Sequence, residues 1–236
     1  MSSFIQQGKK IVAIGRNYAA HIKELSNTAP KEPFFFLKPT SSYVQSGGQV
    51  EIPKGVIAHH EGNFLEDPSE FLVELGLVIG KRGRDITQGD AENYIAGYAL
   101  AVDMTARNVQ DEVKKLGLPW STAKGFDTFT PIGSFIPKSE IQDPHNLQLS
   151  LKINGAVKQD GTTADMISRI PRLLEHISSI MTLEEGDLVL TGTPSGVGPI
   201  SAGDKVECLL ATSSGQELSS LVFTAVARQG GYQFKA

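Results

Sequence analysis

Short apolar runs closed by glycine, proline or a polar turn recur along the chain, and this pattern predicts a protein built mainly from β-strands. The first run, 10–15, has the sequence KIVAIG and ends at a glycine. Residues 147–153 alternate between apolar and polar positions, and Asn154-Gly155 directly after them is a strong signal for a two-residue hairpin. Further strands are predicted at 33–38, 49–52, 55–58, 72–80 and 187–190, in the residues up to Val102, and after Gly203.

Helices are predicted at fewer places. Residues 18–25 consist of helix formers, and residues 168–180 have an amphipathic pattern. Residues 105–116 run from acidic to basic side chains, which complements the helix dipole, and Gly117 ends the segment. Residues 90–100 are predicted to begin as a helix and continue into a strand. The expected fold class is therefore α+β, mainly β, and because no repeat or linker interrupts the sequence we expect residues 1–236 to form a single domain.

The composition favours a small-molecule function. The 236 residues are 40% hydrophobic and 20% charged, and 22 Lys and Arg against 26 Asp and Glu leave a net charge of −4. No broad basic surface is expected, so neither nucleic acid nor an anionic membrane is a predicted partner. No apolar stretch approaches the roughly 20 residues of a membrane-spanning helix. Cys208, the only cysteine, excludes an internal disulfide and a thiolate metal cluster, and its apolar surroundings predict a strand residue.

Two acidic side chains stand in or directly after apolar strands. Glu74 lies inside LVELGLVIG, and Asp103 follows the run YALAV. A buried carboxylate costs several kcal/mol unless a cation or hydrogen bonds compensate it. Two such residues predict a site for a hard divalent cation with oxygen ligands, such as Mg²⁺. The alternatives are a salt bridge to a strand neighbour for Glu74 and a helix N-cap for Asp103.

Three further features carry candidate chemistry. His21 and Glu24 lie one helical turn apart, so the carboxylate can orient the imidazole for work on water, although an exposed helical pair has the same spacing. Lys124, in WSTAKGFDTF, could offer a cation to an anionic intermediate or could be an exposed loop lysine. The loop 191–199, TGTPSGVGP, could hold a carboxylate on its backbone N–H groups, but it lacks the ending of a phosphate-binding loop.

Six segments in one order resemble motifs of the fumarylacetoacetate hydrolase family, and more narrowly of its small acylpyruvase and oxaloacetate decarboxylase branch. The resemblance covers essentially the whole chain. The segments are GRNYAAHIKEL (15–25), FFFLKP (34–39), VELGLVIGKR (73–82), ALAVDMTARNVQDE (99–112), GLPWSTAKGFDTF (117–129) and MTLEEGDLVLTGTPSGVGP (181–199).

This resemblance implies a mixed β-roll with peripheral helices, a homodimer, and one Mg²⁺ or Mn²⁺ bound by three carboxylates. It implies that Glu74 and Asp103 are two of the metal ligands, and that His21 and Glu24 form a catalytic dyad on a helix that covers bound substrate. The substrate-binding positions that it implies are Arg16, Gln110, Lys124 and Thr193, of which Gln110 and Lys124 also count as catalytic.

The chemistry implied by the resemblance acts on small 2-oxo acids. The metal is a Lewis acid at the 2-oxo group, and cleavage between C3 and C4 leaves a pyruvate enolate. Acylpyruvate hydrolysis and oxaloacetate decarboxylation pass through this enolate, and oxaloacetate enol–keto tautomerisation uses the same type of 2-oxo acid enolate with the C3–C4 bond intact. The resemblance also implies mitochondria as the location, with the cytoplasm as the alternative, because MSSFIQQGKK has little presequence character.

The chain departs from the family pattern within the metal motif. The family has a Glu-x-Glu on one strand, whereas Leu72 stands two residues before Glu74 here. Omitting the 11 residues 62–72 would give HHEVELGLVIG and restore the motif, so these residues form an apparent insertion. Our hypothesis is that Glu61 is the third ligand, with Glu66 or Glu70 as substitutes. Two other interpretations are an unspliced segment absent from the active protein, and a binding protein whose metal site is broken.

Overall fold

The computed structural model describes residues 4–19, 30–59, 73–196 and 198–235 of the chain. Within these ranges strands dominate, which confirms the predicted α+β, mainly β class. The described strands are β1 (Ile11–Gly15), β2 (Phe34–Lys38), β3 (Tyr43–Gln45), β4 (Gln49–Ile52), β5 (Ala58–His59), β6 (Val73–Ile79), β7 (Ile95–Val102), β8 (Thr105–Ala106), β9 (Thr130–Ile132), β10 (Ile136–Pro137), β11 (Leu147–Ile153), β12 (Ala156–Thr162), β13 (Leu188–Leu190), β14 (Lys205–Thr212) and β15 (Glu217–Ala227).

The helices are short and lie at the periphery. The α-helices in the described ranges are α1 (Phe4–Gln7), α2 (Arg107–Lys115), α3 (Ser121–Lys124) and α4 (Ile170–Ile180), and the 3-10 turns are Thr40–Ser42, Ala91–Tyr94, Lys138–Glu140 and Thr163–Asp165. None of the described helices combines the length and the apolar character that crossing a bilayer requires.

Two large sheets form the body of the protein. The larger sheet has the order β2-β1-β13-β6-β7-β9-β3, with β10 also paired to β7, and it mixes parallel and antiparallel pairs. The second sheet has the order β12-β11-β14-β15-β4. A strand that is buried on both faces has an almost continuous apolar sequence, and every residue of β1 and β6 is buried.

The second sheet is buried on one face, as the alternation of 147–153 predicts. In β11 the odd-numbered residues are buried, while the even-numbered ones are exposed or half-buried. The turn after β11 has left-handed backbone at Asn154 (φ 49°) and Gly155 (φ 82°), which is the type I′ hairpin geometry that this dipeptide favours. Cys208 belongs to β14 and is buried, so the cysteine is a core strand residue as predicted. Burial raises the pKa of its thiol.

The larger sheet has an apolar cluster on each face. One cluster contains Leu75 and Leu77 of β6 and continues into the inner face of the second sheet and α4. The other is smaller and contains Ile11, Val78 and Leu190. Because side chains alternate along a strand, Glu74 lies on the face of the smaller cluster, together with Val78.

Three local predictions need correction. The strand predicted at 55–58 is wrong at its start, because Gly55 adopts a left-handed turn (φ 74°) and β5 begins at Ala58. The helix predicted from residue 105 begins at Arg107, since Thr105–Ala106 pairs with β5 as a strand. The segment from residue 90 begins with a 3-10 turn rather than an α-helix.

Helix α4 begins on an unusual cap. Its N-cap residue Arg169 makes no capping hydrogen bond through its side chain, and the N–H of Ile170 instead donates to Nε2 of His145 at 3.1 Å. The imidazole must be neutral to accept this bond. Burial and, after it, the charge of Arg169 lower the pKa of His145, which keeps the imidazole neutral near pH 7.

We predict that protonation of His145 destabilises the protein. Because its pKa is lower in the folded than in the unfolded state, its contribution is fully present above the unfolded value of about 6.5 and is lost as the pH falls through and below it. His145→Gln keeps an acceptor that does not titrate, so its free energy of unfolding should fall less between pH 7.5 and 5.5. His145→Ala should lose about 1 kcal/mol at pH 7.5, the usual value of an N-terminal cap. Urea titrations at three pH values, with His176→Gln as control, measure both effects, and parallel profiles for wild type and His145→Gln would contradict the prediction.

Candidate functional site

The register of β6 and β7 brings the two anomalous carboxylates to one face of the larger sheet. Glu74 of β6 is paired with Ala101 of β7, and Asp103 follows Ala101 by two residues in the sequence. Residues in this diagonal relation are on the same face, roughly 7–8 Å apart. Both residues are buried, Glu74 with 2% and Asp103 with 3% of their surface exposed. The two residues predicted to bind metal therefore occupy one buried region.

Asp103 is held by two buried ammonium groups. Nζ of Lys124 donates to Oδ2 at 2.7 Å, and Nζ of Lys38 donates to Oδ1. Lys38 also donates to the backbone carbonyls of Met104 at 3.2 Å and Phe129 at 2.7 Å. The N-cap alternative for Asp103 is wrong, because the cap position of α2 is Ala106. Asp103 is instead the centre of an ion-pair cluster.

Lys124 is buried beside Asp103, so the alternative of an exposed loop lysine is wrong. Helix α3 ends at Lys124, whose side chain is almost completely buried. Its ammonium lies 4.7 Å from the centre of the Phe36 ring, in addition to its bond with Asp103. Phe36 packs on Trp120 with ring centres 5.5 Å apart, so aromatic side chains cover this side of the cluster. A buried cation on an aromatic face is partly desolvated, and its electrostatic effect on a bound anion is stronger than at the surface.

Glu74 receives one backbone hydrogen bond. Its Oε2 accepts from the N–H of Gly192 at 2.8 Å. Gly192 has left-handed backbone (φ 89°), and a Cβ there would lie 2.9 Å from the Cβ of Asn17, so this close approach of the loop requires glycine. Burial, followed by the charge of Asp103, raises the pKa of Glu74 to about 8. Burial and the Asp103 carboxylate thus disfavour the ionised form of Glu74, and a cation bound next to Glu74 would favour that form.

The donor set fits a hard divalent cation. Glu74 and Asp103 offer carboxylate oxygens, the ligand type that Mg²⁺ and Mn²⁺ prefer. The described residues contain no group of three or more His, Cys, Asp and Glu that would complete such a site. The third predicted ligand, Glu61, lies outside the described residues. The strand that precedes it in the sequence, β5, ends at His59, which is paired with Thr105, two residues from Asp103.

Helix α2 carries a buried amide, Gln110, and a buried guanidinium, Arg107. Gln110 is fully buried, and its Oε1 accepts from Nη1 of Arg107 at 3.1 Å. Arg107 is also buried, and its Nε lies 3.3 Å from Oδ1 of Asp111. Sequence reasoning singled out Gln110 but missed Arg107. The signal was present, because residues three apart in a helix share a face.

The loop after β13 is bound along β6 by side chains as well as by backbone. Oγ1 of Thr191 donates to the carbonyl of Leu75 at 2.9 Å, and Oγ1 of Thr193 donates to that of Val73 at 3.0 Å. Thr193 is buried, and its substrate-binding role stays a prediction. The two threonine hydroxyls therefore continue the attachment of the loop to β6 beyond the end of β13.

Arg16 is followed in the chain by Asn17, which contacts this loop. The side chain of Asn17 donates to the carbonyl of Thr191 at 2.8 Å. Arg16 itself has left-handed backbone (φ 58°) directly after β1, and its side chain is half-buried. Non-glycine residues in this conformation are uncommon and occur frequently at functional sites.

Three predicted residues are not placed by the structure. His21, Glu24 and Glu61 lie outside the described residues, as does the apparent insertion 62–72. Their roles stay predictions. Of the other predicted positions, Glu74, Asp103 and Lys124 form one connected cluster, and the loop that carries Thr193 reaches Glu74 through Gly192.

Comparison with known proteins agrees with the motif pattern. The family described as "Fumarylacetoacetate (FAA) hydrolase C-terminal" matches residues 10–224. The chain is 55% identical over 202 residues to the mitochondrial oxaloacetate tautomerase FAHD1 of Arabidopsis thaliana, covering 85% of this chain and 86% of that protein. It is 53% identical over 210 residues to the mitochondrial oxaloacetate decarboxylase of Dictyostelium discoideum, covering 88% of this chain and 91% of that protein.

Solved structures share the fold. The crystal structure of yeast ynq8, a fumarylacetoacetate hydrolase family protein, superimposes with a TM-score of 0.86 at 37% identity and 100% coverage of both chains. The 5-carboxymethyl-2-hydroxymuconate delta-isomerase of Mycobacterium smegmatis superimposes with a TM-score of 0.77 at 35% identity, covering 95% of this chain and 81% of that one. With a matching family description, relatives that are more than half identical and a common fold, this chain belongs to the fumarylacetoacetate hydrolase family.

Proposed function

We propose that the protein is an Mg²⁺- or Mn²⁺-dependent enzyme that acts on oxaloacetate, by decarboxylation to a pyruvate enolate and by enol–keto tautomerisation through the enolate of oxaloacetate itself. The observation that carries this proposal is the buried cluster of Glu74 and Asp103 with Lys38 and Lys124. Relatives that are about half identical carry the names oxaloacetate tautomerase and oxaloacetate decarboxylase, which supports the choice of substrate.

Glu74 and Asp103 would hold the metal, with Glu61 as the proposed third ligand. The fit rests on the oxygen donors and on the raised pKa of Glu74, which shows that burial and the neighbouring carboxylate disfavour its charge. When bound, the metal supplies Lewis-acid polarisation of the 2-oxo group of the substrate. The chain has to bind the substrate anion, orient it and control the proton at C3.

Lys124 supplies positive charge to the substrate. Its bond to Asp103 positions the ammonium at the carboxylate cluster, and its burial keeps bulk water from screening it. Gln110 is oriented by Arg107, which occupies the Oε1 end of the amide. An ammonium and an oriented amide are suited to the carboxylate and enolate oxygens of a small 2-oxo acid.

Proton transfer is assigned to His21, oriented by Glu24. In decarboxylation the electrons of the C3–C4 bond form the enolate as CO₂ leaves, and a proton is then added at C3. In tautomerisation a proton is exchanged between C3 and the enol oxygen. Hydrolysis of acylpyruvates is a second candidate, favoured by the spacing of His21 and Glu24, because a histidine with a carboxylate one turn away can activate water.

Assembly and location are extensions of the same proposal. We propose a homodimer, as the family resemblance implies. The relatives from Arabidopsis thaliana, Dictyostelium discoideum and Bos taurus are named mitochondrial, and a mitochondrial location is proposed for this chain on that basis.

We predict that Asp103→Asn abolishes metal-dependent turnover. The amide is neutral and cannot replace the charge of the carboxylate, so Mn²⁺ affinity should fall at least ~10–100-fold, the range seen when groups around a metal are changed. Titration of Mn²⁺ followed by electron paramagnetic resonance, together with ultraviolet assays of enol and keto oxaloacetate, measures both losses. Asp127→Asn, at an exposed position, is the matched control. Unchanged turnover after exhaustive chelation of the wild-type protein would refute metal dependence.

We predict that Lys124→Met lowers kcat for oxaloacetate by roughly 10²–10³-fold, the usual effect of removing one electrostatic donor from a preorganised site. Lys124→Arg should recover part of the loss, because it keeps the charge but not the geometry. Steady-state kinetics with the exposed Lys115→Met as control separate this effect from a general change in charge. Equal kcat in wild type and Lys124→Met would remove Lys124 from the mechanism.

We predict that the protein is active with residues 62–72 in place, because Glu61 supplies the third carboxylate. Glu61→Gln should then lower Mn²⁺ affinity as Asp103→Asn does, whereas Glu66→Gln and Glu70→Gln should not. The chain lacking 62–72 should bind Mn²⁺ and turn over oxaloacetate within about threefold of the full chain, a difference of less than ~1 kcal/mol. Activity in the shortened chain alone would show that Glu61 is not a ligand in the full chain.

A further inference from the structure

The first residue of β6, Val73, has both of its backbone polar groups bound by side chains from other parts of the chain. Its N–H donates to Oε1 of Gln159 at 2.6 Å, and its carbonyl accepts from Oγ1 of Thr193 at 3.0 Å. Val73 is followed directly by Glu74. The backbone next to this candidate ligand is therefore located by contacts that do not involve the residues preceding it.

Gln159 connects these groups into a closed ring. Its Nε2 donates to Oγ1 of Thr193 at 2.9 Å and to the carbonyl of Pro194 at 3.0 Å. Gln159 belongs to β12 in the second sheet and is 1% exposed. Every donor of its amide is used, and its carbonyl oxygen binds Val73. A fully satisfied buried network of this kind defines one geometry, because breaking any bond leaves an unpaired polar group.

The ring determines what the hydroxyl of Thr193 can do. A hydroxyl has one proton, and that proton is donated to the carbonyl of Val73 while the oxygen accepts from Gln159. The loop that carries Thr193 also sends the N–H of Gly192 to Glu74. The same few residues thus set the position of the loop and of the carboxylate relative to each other.

We propose that Gln159 is a positioning residue of the active site. Through Thr193 and Val73 it holds the loop 191–194 and the start of β6 in one arrangement, so that Glu74 is placed for metal binding and Thr193 serves the site without donating its hydroxyl proton to substrate. This inference rests on the proposed function for its catalytic meaning. The ring itself is independent of that function and can be tested without turnover.

The variants dissect the ring bond by bond. Gln159→Met removes all polar contacts of the Gln159 side chain. Gln159→Glu keeps an acceptor for the N–H of Val73 but loses the two N–H donors to Thr193 and Pro194. Thr193→Val removes the hydroxyl with little change in shape, and Thr193→Ser keeps it. Gln148→Met makes the same substitution as Gln159→Met at an exposed position of the neighbouring strand β11, and is the matched control.

Hydrogen exchange of the metal-free full chain is the first measurement. The Val73 amide should exchange at least ~10-fold faster in Gln159→Met than in wild type, because a buried N–H that loses its acceptor is stabilised less strongly in the closed state. Gln159→Glu should keep the protection of Val73, and Gln148→Met should match wild type. Exchange of Val73 at the wild-type rate in a folded Gln159→Met protein would overturn the proposal.

Binding of Mn²⁺ is the second measurement, followed by electron paramagnetic resonance. Gln159→Met and Thr193→Val should each weaken binding about tenfold, and the double variant should be no weaker than either, because both break one ring. Thr193→Ser should bind within about threefold of wild type, and in kinetic assays Gln159→Met should recover part of its kcat at saturating Mn²⁺. Additive losses, or a lowered melting temperature with unchanged exchange and affinity, would show a merely structural role and overturn the proposal.

The two proposals fail in different ways. If wild-type protein binds Mn²⁺ but does not turn over oxaloacetate, the proposed function fails while exchange and affinity still decide the role of Gln159. If wild-type protein does not bind Mn²⁺, placement of Glu74 for a metal is overturned. If Gln159→Met does not fold, the comparison of Thr193→Val with Thr193→Ser decides, because the ring predicts faster exchange near Val73 only for the valine variant.

Discussion

The ion pair between Lys38 and Asp103 is the contact on which the arrangement of the site depends. Lys38 ends β2, and Asp103 follows β7, which is four positions away in the order of the larger sheet. At roughly 4.8 Å between neighbouring strands, a flat sheet would separate them by about 19 Å, which is beyond the reach of a lysine side chain. Their direct contact therefore requires the sheet to curl into a roll.

Burial of these charges is possible because each has partners. Lys38 donates to Asp103 and to two backbone carbonyls, and Lys124 takes the other oxygen of the same carboxylate. Burial lowers the pKa of Lys38 to about 8, with Asp103 opposing the shift. Removing one partner from such a cluster leaves an uncompensated charge, which is far more costly than the cluster itself. Each member of the cluster therefore depends on the others for its burial.

Glu74 is held differently, by the backbone around it. The loop after β13 contacts β6 through three successive residues, Thr191, Gly192 and Thr193. Gln159 connects both the loop and β6 to the second sheet. The position of Glu74 is thus fixed by the loop after β13 and by Gln159, and not by the residues that precede Glu74 in the chain. This explains how the chain can place Glu74 although its sequence differs from the family motif immediately before that residue.

Much of the fold was predictable from local pattern. The apolar run of β1, the alternation in β11, the hairpin at Asn154-Gly155 and the helix through Gln110 all depend on near neighbours, so the sequence alone determined them. The unusual positions of Glu74 and Asp103 also marked them as site residues, since a carboxylate in an apolar strand is expensive without a function. Lys38 and Gln159 were not predicted, because nothing in their local sequence distinguishes them from ordinary polar residues, whereas Arg107 was missed although it shares a helix face with Gln110. Only the tertiary structure decided that Glu74 stands diagonal to Asp103, that Lys38 reaches across the roll, and that Gln159 closes a ring on Val73. Strand register and sheet curvature set these contacts, and both arise from packing between residues far apart in the chain.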